Sequence, residues 1–180
     1  LSPYDTTLLL DVDYLVLDSS LLTLLSTNHD YLLQYHAVSE HGACYQMMGE
    51  TSLPFVWATT VLFRRRPRTE LFFQLVARIQ RNYNYYRALY NIQERNYRND
   101  YAFAIANVIL NGYVIDTANS IPWPMFNIED RIEKITQSDT YLKIYYGNRA
   151  TVMLYQNMHV MDKEYLQSEN FRKLVNDITA

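Results

Sequence analysis

Two aspartates near the start of the chain, Asp11 and Asp13, are the residues best placed by type and spacing to do chemistry. They follow the short apolar run Thr6–Leu10, which is typical of a buried strand in a parallel or mixed sheet. Side chains at positions i and i+2 of an extended chain point the same way, so we expect both carboxylates to converge on one target. A divalent cation that prefers oxygen ligands, Mg²⁺ or Mn²⁺, suits them.

A purely structural interpretation of this pair stays open. One aspartate could cap a turn while the other is solvated, because any acidic loop can contain Asp-x-Asp. The position after a strand favours binding, since ligands of open α/β sheets lie at the carboxyl ends of the strands.

Four segments occur in an order that resembles one protein family. They are residues 2–13, which end in Leu-Leu-Leu-Asp-Val-Asp, residues 58–64 (Ala-Thr-Thr-Val-Leu-Phe-Arg), residues 98–103 (Arg-Asn-Asp-Tyr-Ala-Phe) and residues 159–163 (His-Val-Met-Asp-Lys). In this order they resemble the GT-A glycosyltransferases, which have the nucleotide-diphospho-sugar transferase fold, and within them a phage-encoded group. The resemblance spans most of the chain.

This resemblance implies an α/β fold with a mixed sheet flanked by helices, the C-terminal part of a GT-A fold. We expect residues 1–180 to form a single domain that is the later portion of a longer GT-A domain. In the family, the first βαβ units and most of the nucleotide-base pocket precede the Asp-x-Asp strand. We therefore expect this chain alone to bind nucleotide weakly or not at all.

The resemblance also implies an activity, that of a metal-dependent glycosyltransferase of the hexosyltransferase type. Such an enzyme moves a sugar from a nucleotide diphosphate donor to a glycan or another hydroxyl acceptor, with Mn²⁺ or Mg²⁺ as cofactor. Asp11 and Asp13 would be metal ligands. Asp100, which matches the family's helix start, is the candidate catalytic residue, and its alternative role is a plain helix N-cap.

His159 and Lys163 complete the predicted site. In glycogenin-like transferases, a late His-x-x-Gly-x-x-Lys segment returns to the Asp-x-Asp site, where the histidine is a third metal ligand and the lysine meets the diphosphate. This chain has the histidine and the lysine, but it lacks the glycine and the spacing is shorter. Imidazole is a good Mn²⁺ ligand beside carboxylates, and a lysine can offset diphosphate charge.

Composition restricts the other classes of function. With 180 residues, 49% of them hydrophobic, the chain is typical of a globular domain, and a formal net charge of -3 does not favour a nucleic-acid partner. No apolar run reaches the ~18 residues of a membrane span. The arginine-rich run at residues 64–68 fits a solvated loop before a helix, or a contact with phosphate.

The single cysteine, Cys44, excludes a disulfide within the chain and suggests a reducing compartment. We expect a cytoplasmic location (the host cytoplasm for a viral protein) or a virion, and we expect the Cys44 side chain to be buried. The spacings of His29, His36 and His41 suit no compact metal motif, so we interpret them as ordinary polar positions.

Hydrophobic patterns predict the main elements. We expect strands at residues 6–10, 31–38 and 55–63, a hairpin of residues 140–146 and 151–155, and helices at residues 21–27, 70–82, 101–110 and 164–178. Residues 39–54 are expected to form a loop.

A non-catalytic function is the main alternative to the enzyme. The chain could be a sugar-binding or virion-associated structural protein built on a transferase-like fold, in which case oligomer or virion assembly is expected. A nucleic-acid binder, the third class, rests only on the arginine run.

Overall fold

The computed structural model describes residues 2–45 and 53–179. Over these residues the protein is a mixed α/β structure with several sheets and helices. The chain divides into two compact units, each made of three segments. The first comprises Leu1–Asp11, Leu22–Ala37 and Cys44–Pro124, and the second comprises Val12–Leu21, Val38–Ala43 and Met125–Ala180. The expectation of a single GT-A domain stays a prediction.

The described strands, in chain order, are β1 (Thr6–Leu10), β2 (Tyr14–Leu15), β3 (Tyr31–Gln34), β4 (Ala37–Ser39), β5 (Cys44–Tyr45), β6 (Trp57–Arg64), β7 (Met125–Ile128), β8 (Lys134–Gln137), β9 (Tyr141–Tyr146), β10 (Arg149–Leu154) and β11 (Met158–Val160). The described α-helices are α1 (Pro67–Arg81), α2 (Tyr83–Leu89), α3 (Asn99–Leu110), α4 (Lys163–Leu166) and α5 (Glu169–Thr179). A 3-10 helix covers Ser20–Ser26.

The sheet of the first unit has the order β1-β6-β3, and β6 is antiparallel to both neighbours. Thr6–Leu10 is a strand, as predicted. The expectation that it is buried in a parallel or mixed sheet is wrong, because β1 is an edge strand whose Leu9 is 47% exposed. A strand at an edge has a neighbour on one side only and is covered less than a central strand.

Two helices complete the core of the first unit. Pro67 occupies the first turn of α1, where its missing N–H costs nothing, and Phe72 and Ile79 are fully buried on one face of that helix. In α3, every residue from Ala102 to Val108 is buried, and Phe103 packs edge-to-face on Phe72 with ring centroids 5.4 Å apart. Small alanines let α3 pack closely.

The second unit contains most of a mixed sheet and a small antiparallel one. The mixed sheet has the order β2-β11-β7-β4-β5, with β11 parallel to β7 and antiparallel to β2. The other sheet has the order β10-β9-β8. The predicted hairpin is confirmed as β9 and β10, joined at Gly147, whose φ of +52° favours glycine. A separate cluster of buried residues, including Ile128, Leu142 and Met158, forms the core of this unit.

Several boundaries differ from the prediction. The strand expected at residues 31–38 is split into β3 and β4, the helix expected at residues 164–178 is split into α4 and α5, and the helix expected at residues 21–27 is 3-10. The loop expected at residues 39–54 contains β5, and its residues 46–52 lie outside the described residues. Cys44 is exposed, so its predicted burial is wrong.

Within the part of the chain that is described, no helix combines the length and the apolar character needed to cross a membrane.

Candidate metal centre

Asp13 is placed by the backbone of the mixed sheet. It lies in the turn directly before β2, and its carbonyl oxygen accepts a hydrogen bond from the N–H of Val160 at 2.9 Å. In the same sheet, Tyr14 of β2 is paired with His159 of β11. This register brings two residues that are far apart in the sequence to adjacent positions in the second unit.

The Asp13 and His159 side chains meet in a buried position. His159 Nε2 lies 3.3 Å from Asp13 Oδ1, and the two side chains are 8% and 12% exposed. The structure therefore brings together two of the predicted metal ligands.

Asn127 fixes the proton on the far side of the His159 ring. β11 runs parallel to β7 with His159 opposite Asn127, and His159 Nδ1 lies 2.7 Å from Asn127 Oδ1. The Asn127 Nδ2 group donates to Glu129 Oε1 at 2.8 Å, which sets the orientation of the amide and leaves its oxygen to accept from the ring. His159 Nδ1 therefore carries a hydrogen.

The hydrogen on Nδ1 determines whether the other ring nitrogen, Nε2, donates or accepts in a neutral ring. In a neutral imidazole with hydrogen on Nδ1, Nε2 is an acceptor, and here it faces a carboxylate oxygen, which is another acceptor. Two acceptors at 3.3 Å repel each other unless a positive charge joins them. Either a proton on Nε2 or a cation bound by both groups would supply that charge.

The separation of the two atoms suits a metal ion. Ligand atoms that lie about 2.0–2.2 Å from one ion are about 3.0–3.5 Å apart in octahedral or tetrahedral geometry. The hydrogen bond from Nδ1 to Asn127 is the outer contact that metal-bound histidines commonly make. Both the spacing and the donor set therefore fit a divalent cation.

Asp11 lies at the end of β1, where its N–H donates to the carbonyl oxygen of Thr59 at 2.9 Å. Asp11 belongs to the first unit, whereas Asp13 belongs to the second. The expected geometry of two side chains on one extended strand is wrong, because β1 ends at Leu10 and Asp13 lies in a turn. The turn exposes Asp11 and Val12 and buries Asp13.

Lys163 lies at the edge of this site. Its Nζ is 4.0 Å from Asp13 Oδ2, and its side chain is 76% exposed. The preceding residue, Asp162, places it, because the Asp162 carboxylate accepts from the N–H groups of Tyr165 and Ile132 at 3.0 and 2.8 Å. A flexible cation beside Asp13 could also reach an anionic group.

Asp100, the predicted catalytic residue, lies in the first turn of α3 in the first unit. Its Oδ1 accepts the N–H of Ala58 at 2.9 Å, and its Oδ2 lies 2.6 Å from Nη2 of Arg98. The N-cap of α3 is Arg98, so the alternative of a plain N-cap does not describe Asp100. These contacts favour a structural role in joining α3 to β6, and the catalytic role stays a prediction.

The arginine run makes internal contacts in the first unit. Arg64 donates to the carbonyl oxygens of Leu25 and Thr27, and Arg66 contacts Asp30 at 2.9 Å. The Arg64 contacts lie at the C-terminal end of the 3-10 helix, and the Arg66 contact lies directly before β3. They favour the structural interpretation of the run over a phosphate contact.

Asn127 is the member of the site that the sequence did not reveal. A lone asparagine in a short strand carries no recognisable motif, and its role depends on pairing between β7 and β11.

Comparison with models of protein families found no match for this sequence. A search of curated proteins found no significant match. A search of solved structures found none either.

Proposed function

We propose that the protein is a metal-dependent transferase that moves a sugar from a nucleotide diphosphate donor to a hydroxyl acceptor. The observation that carries this proposal is the buried approach of His159 Nε2 to Asp13 Oδ1, at 3.3 Å. The transferase chemistry comes from the resemblance of the four sequence segments to the GT-A family. The prediction that Asp11, two residues before Asp13 in the sequence, is a further ligand comes from the same resemblance.

The mixed donor set favours Mn²⁺ over Mg²⁺. Mg²⁺ keeps most of its water and prefers oxygen ligands, whereas Mn²⁺ accepts an imidazole nitrogen beside carboxylates. When bound, such an ion would neutralise charge that develops on the leaving diphosphate. Its location beside a buried carboxylate, in a region of low dielectric, would strengthen that effect.

The protein's own groups would have separate tasks. Asp13 and His159 would hold the ion, and Asn127 would keep the His159 ring oriented with hydrogen on Nδ1. Lys163, whose side chain is 76% exposed and whose Nζ lies 4.0 Å from Asp13 Oδ2, would contact a phosphate oxygen of the donor.

Donor cleavage by the purified protein tests this proposal. A panel of UDP-glucose, UDP-galactose, UDP-N-acetylglucosamine and GDP-mannose would be incubated with Mn²⁺, at donor concentrations high enough to offset the weak nucleotide binding expected of this chain, and the released nucleotide diphosphate would be measured. We expect release from at least one donor, and a decrease of about 100-fold or more in the Asp13→Asn and His159→Gln variants. His36→Gln, at an exposed histidine, is the matched control.

Two outcomes would contradict the proposal. Equal release by wild type and by both site variants would show that the pair takes no part in the reaction. Mn²⁺ binding without release from any donor would instead favour the non-catalytic alternative, a sugar-binding or structural protein.

A further inference from the structure

A second group of acidic and histidine side chains lies in the second unit. Glu40 and His41 occupy the turn that follows β4, and Asp130 lies two residues after the end of β7. One ligand atom from each of the three side chains lies within 4.8 Å of the other two. None of these residues belongs to the site of Asp13 and His159.

The Glu40 carboxylate is held in place by the backbone. Its Oε1 accepts the N–H groups of Glu129 and Asp130 at 2.9 and 2.7 Å. Two backbone donors on one oxygen fix the side chain firmly and connect the turn after β4 to the end of β7. Only 8% of Glu40 is exposed.

The other oxygen of Glu40 is not satisfied. Oε2 is buried and has no hydrogen-bond partner among the described residues. A buried carboxylate oxygen without a donor loses its hydration without compensation, which costs more than an unpaired neutral acceptor. Because Oε1 is already occupied by two N–H groups, Oε2 is the atom of Glu40 with capacity for a positively charged ligand.

His41 and Asp130 form the open side of the cluster. His41 Nε2 lies 2.9 Å from Asp130 Oδ2, and the two side chains are 51% and 53% exposed. An ion that enters from solvent on this side would meet ligand atoms of all three side chains, which lie within 4.8 Å of one another. Ligand atoms about 2 Å from one tetrahedral ion are about 3.3 Å apart, so the His41 and Asp130 side chains need to separate only slightly.

The pKa of a neighbouring tyrosine, Tyr146, indicates that the electrostatic potential at this cluster is negative. Burial raises the pKa of Tyr146 above its usual range, and the Glu40 and Asp130 carboxylates raise this pKa further. The Tyr146 ring lies 6.4 Å from the His41 ring. A place that disfavours one more negative charge is one that attracts a cation.

We propose that Glu40, His41 and Asp130 form a second divalent-cation site, which takes Zn²⁺. Carboxylate oxygens and imidazole nitrogens both bind zinc, and three protein ligands with space for a water molecule match the four-coordinate geometry of an open zinc site. The bound ion would join the turn after β4 to the end of β7. This proposal does not rest on the proposed transferase function.

Counting bound zinc in variants tests the proposal. The protein would be treated with a chelator, exchanged into buffer and titrated with ZnCl₂ by calorimetry. To exclude the first site, the titration would be repeated in the double variant Asp13→Asn, His159→Gln. In that background we expect one Zn²⁺ per chain, and we expect His41→Ala and Asp130→Asn each to weaken its affinity at least 10-fold.

Glu40→Gln makes the test independent of folding damage. Glutamine keeps an oxygen that can accept the two backbone N–H groups, but it replaces the unpartnered oxygen with an amide nitrogen, which cannot bind a cation. We expect Glu40→Gln to lose the zinc site and to unfold at the wild-type temperature without metal. His36→Ala is the control for removal of an exposed histidine.

Two results would overturn the proposal. One is the absence of zinc binding in the double variant, which would leave the His41 and Asp130 contact as a simple ion pair. The other is unchanged zinc affinity in Glu40→Gln and His41→Ala, which would place the ion elsewhere.

Discussion

The ring of His159 is held from behind by Asn127, whose side-chain oxygen lies 2.7 Å from Nδ1. Because Asn127 is fully buried and its nitrogen is engaged by Glu129, the amide cannot turn without losing a hydrogen bond. The orientation of one asparagine therefore decides which nitrogen of His159 is available to a metal ion.

Asn127→Leu should weaken Mn²⁺ binding without removing a ligand. Leucine has a similar volume but no acceptor, so the ring loses its fixed tautomer, and we expect affinity to fall about 10- to 100-fold. Loss of the buried hydrogen bonds should also lower the free energy of unfolding by about 1–3 kcal/mol. Calorimetric titration with MnCl₂ and urea denaturation measure the two effects.

Asn170→Leu is the control for that change, since the Asn170 side chain is exposed and donates to the carbonyl oxygen of Glu133, away from the site. If Asn127→Leu bound Mn²⁺ as tightly as the control, the hydrogen bond to Nδ1 would have no part in the site.

Asp100→Ala should destabilise the first unit. It removes the acceptor for the Ala58 N–H and the partner of Arg98, so we expect the free energy of unfolding to fall by about 1–3 kcal/mol. Asp100→Asn should cost less, because the amide oxygen can still accept from Ala58. Urea denaturation of both variants, with Asp5→Ala at an exposed position as the control, measures this.

Donor cleavage by the same variants tests the catalytic prediction. If Asp100→Asn were as stable as wild type but inactive, Asp100 would be catalytic and its structural assignment would be contradicted.

Because the pKa of Tyr146 is raised in the folded protein, the free energy of unfolding should fall as the solution becomes alkaline. Burial, and the nearby Glu40 and Asp130 carboxylates, raise the pKa of Tyr146 in the folded state. Above about pH 10, the unfolded chain therefore loses a proton that the folded protein keeps. Its contribution to stability is fully present below that pH and decreases by about 1.4 kcal/mol per pH unit above it, until the folded pKa is reached.

The Tyr146→Phe variant isolates this contribution. Its free energy of unfolding, measured in urea between pH 9 and pH 11.5, should fall with pH less steeply than that of wild type, by up to about one proton. Tyr85→Phe, at an exposed ring, is the control. Identical slopes in wild type and Tyr146→Phe would show that the buried hydroxyl does not titrate differently in the folded protein.

The longer elements could be predicted from the sequence. The helix α1 has a regular apolar face, β1 and β6 are rich in apolar and β-branched residues, and the β9–β10 hairpin has glycine at its turn. In each case the pattern is local and repeats over five or more residues. The predicted Asp13 and His159 also lie together, as the resemblance implied.

The short strands could not be predicted in the same way. β7 has four residues and β11 has three, which is too few for a period to be visible. Both exist because they pair with each other and with strands far away in the sequence. The role of Asn127 depends on this pairing. So does the approach of Glu40 to Asp130, because Glu40, which the sequence places in a loop, accepts a hydrogen bond from a residue 90 positions later.

The turn at residues 11–13 also could not be predicted from the sequence. Apolar residues continue after the aspartates, so the pattern suggested one extended strand. The chain instead leaves β1 at Leu10 and enters β2 at Tyr14, because β1 pairs with β6 whereas β2 pairs with β11.

Asp13 and His159 are expected to face each other across a metal ion and not across a shared proton, and one substitution separates these two states. In Asp13→Asn, the amide nitrogen can donate to His159 Nε2, which replaces two facing acceptors with a hydrogen bond. Thermal unfolding in a chelator and titration with MnCl₂, each on wild type and Asp13→Asn, form the measurement. If a metal ion joins the pair, the variant in chelator unfolds at the wild-type temperature or above it and no longer binds Mn²⁺. A variant that is clearly less stable in chelator, together with a wild type that binds no Mn²⁺, would show instead that the pair is a salt bridge without a metal ion.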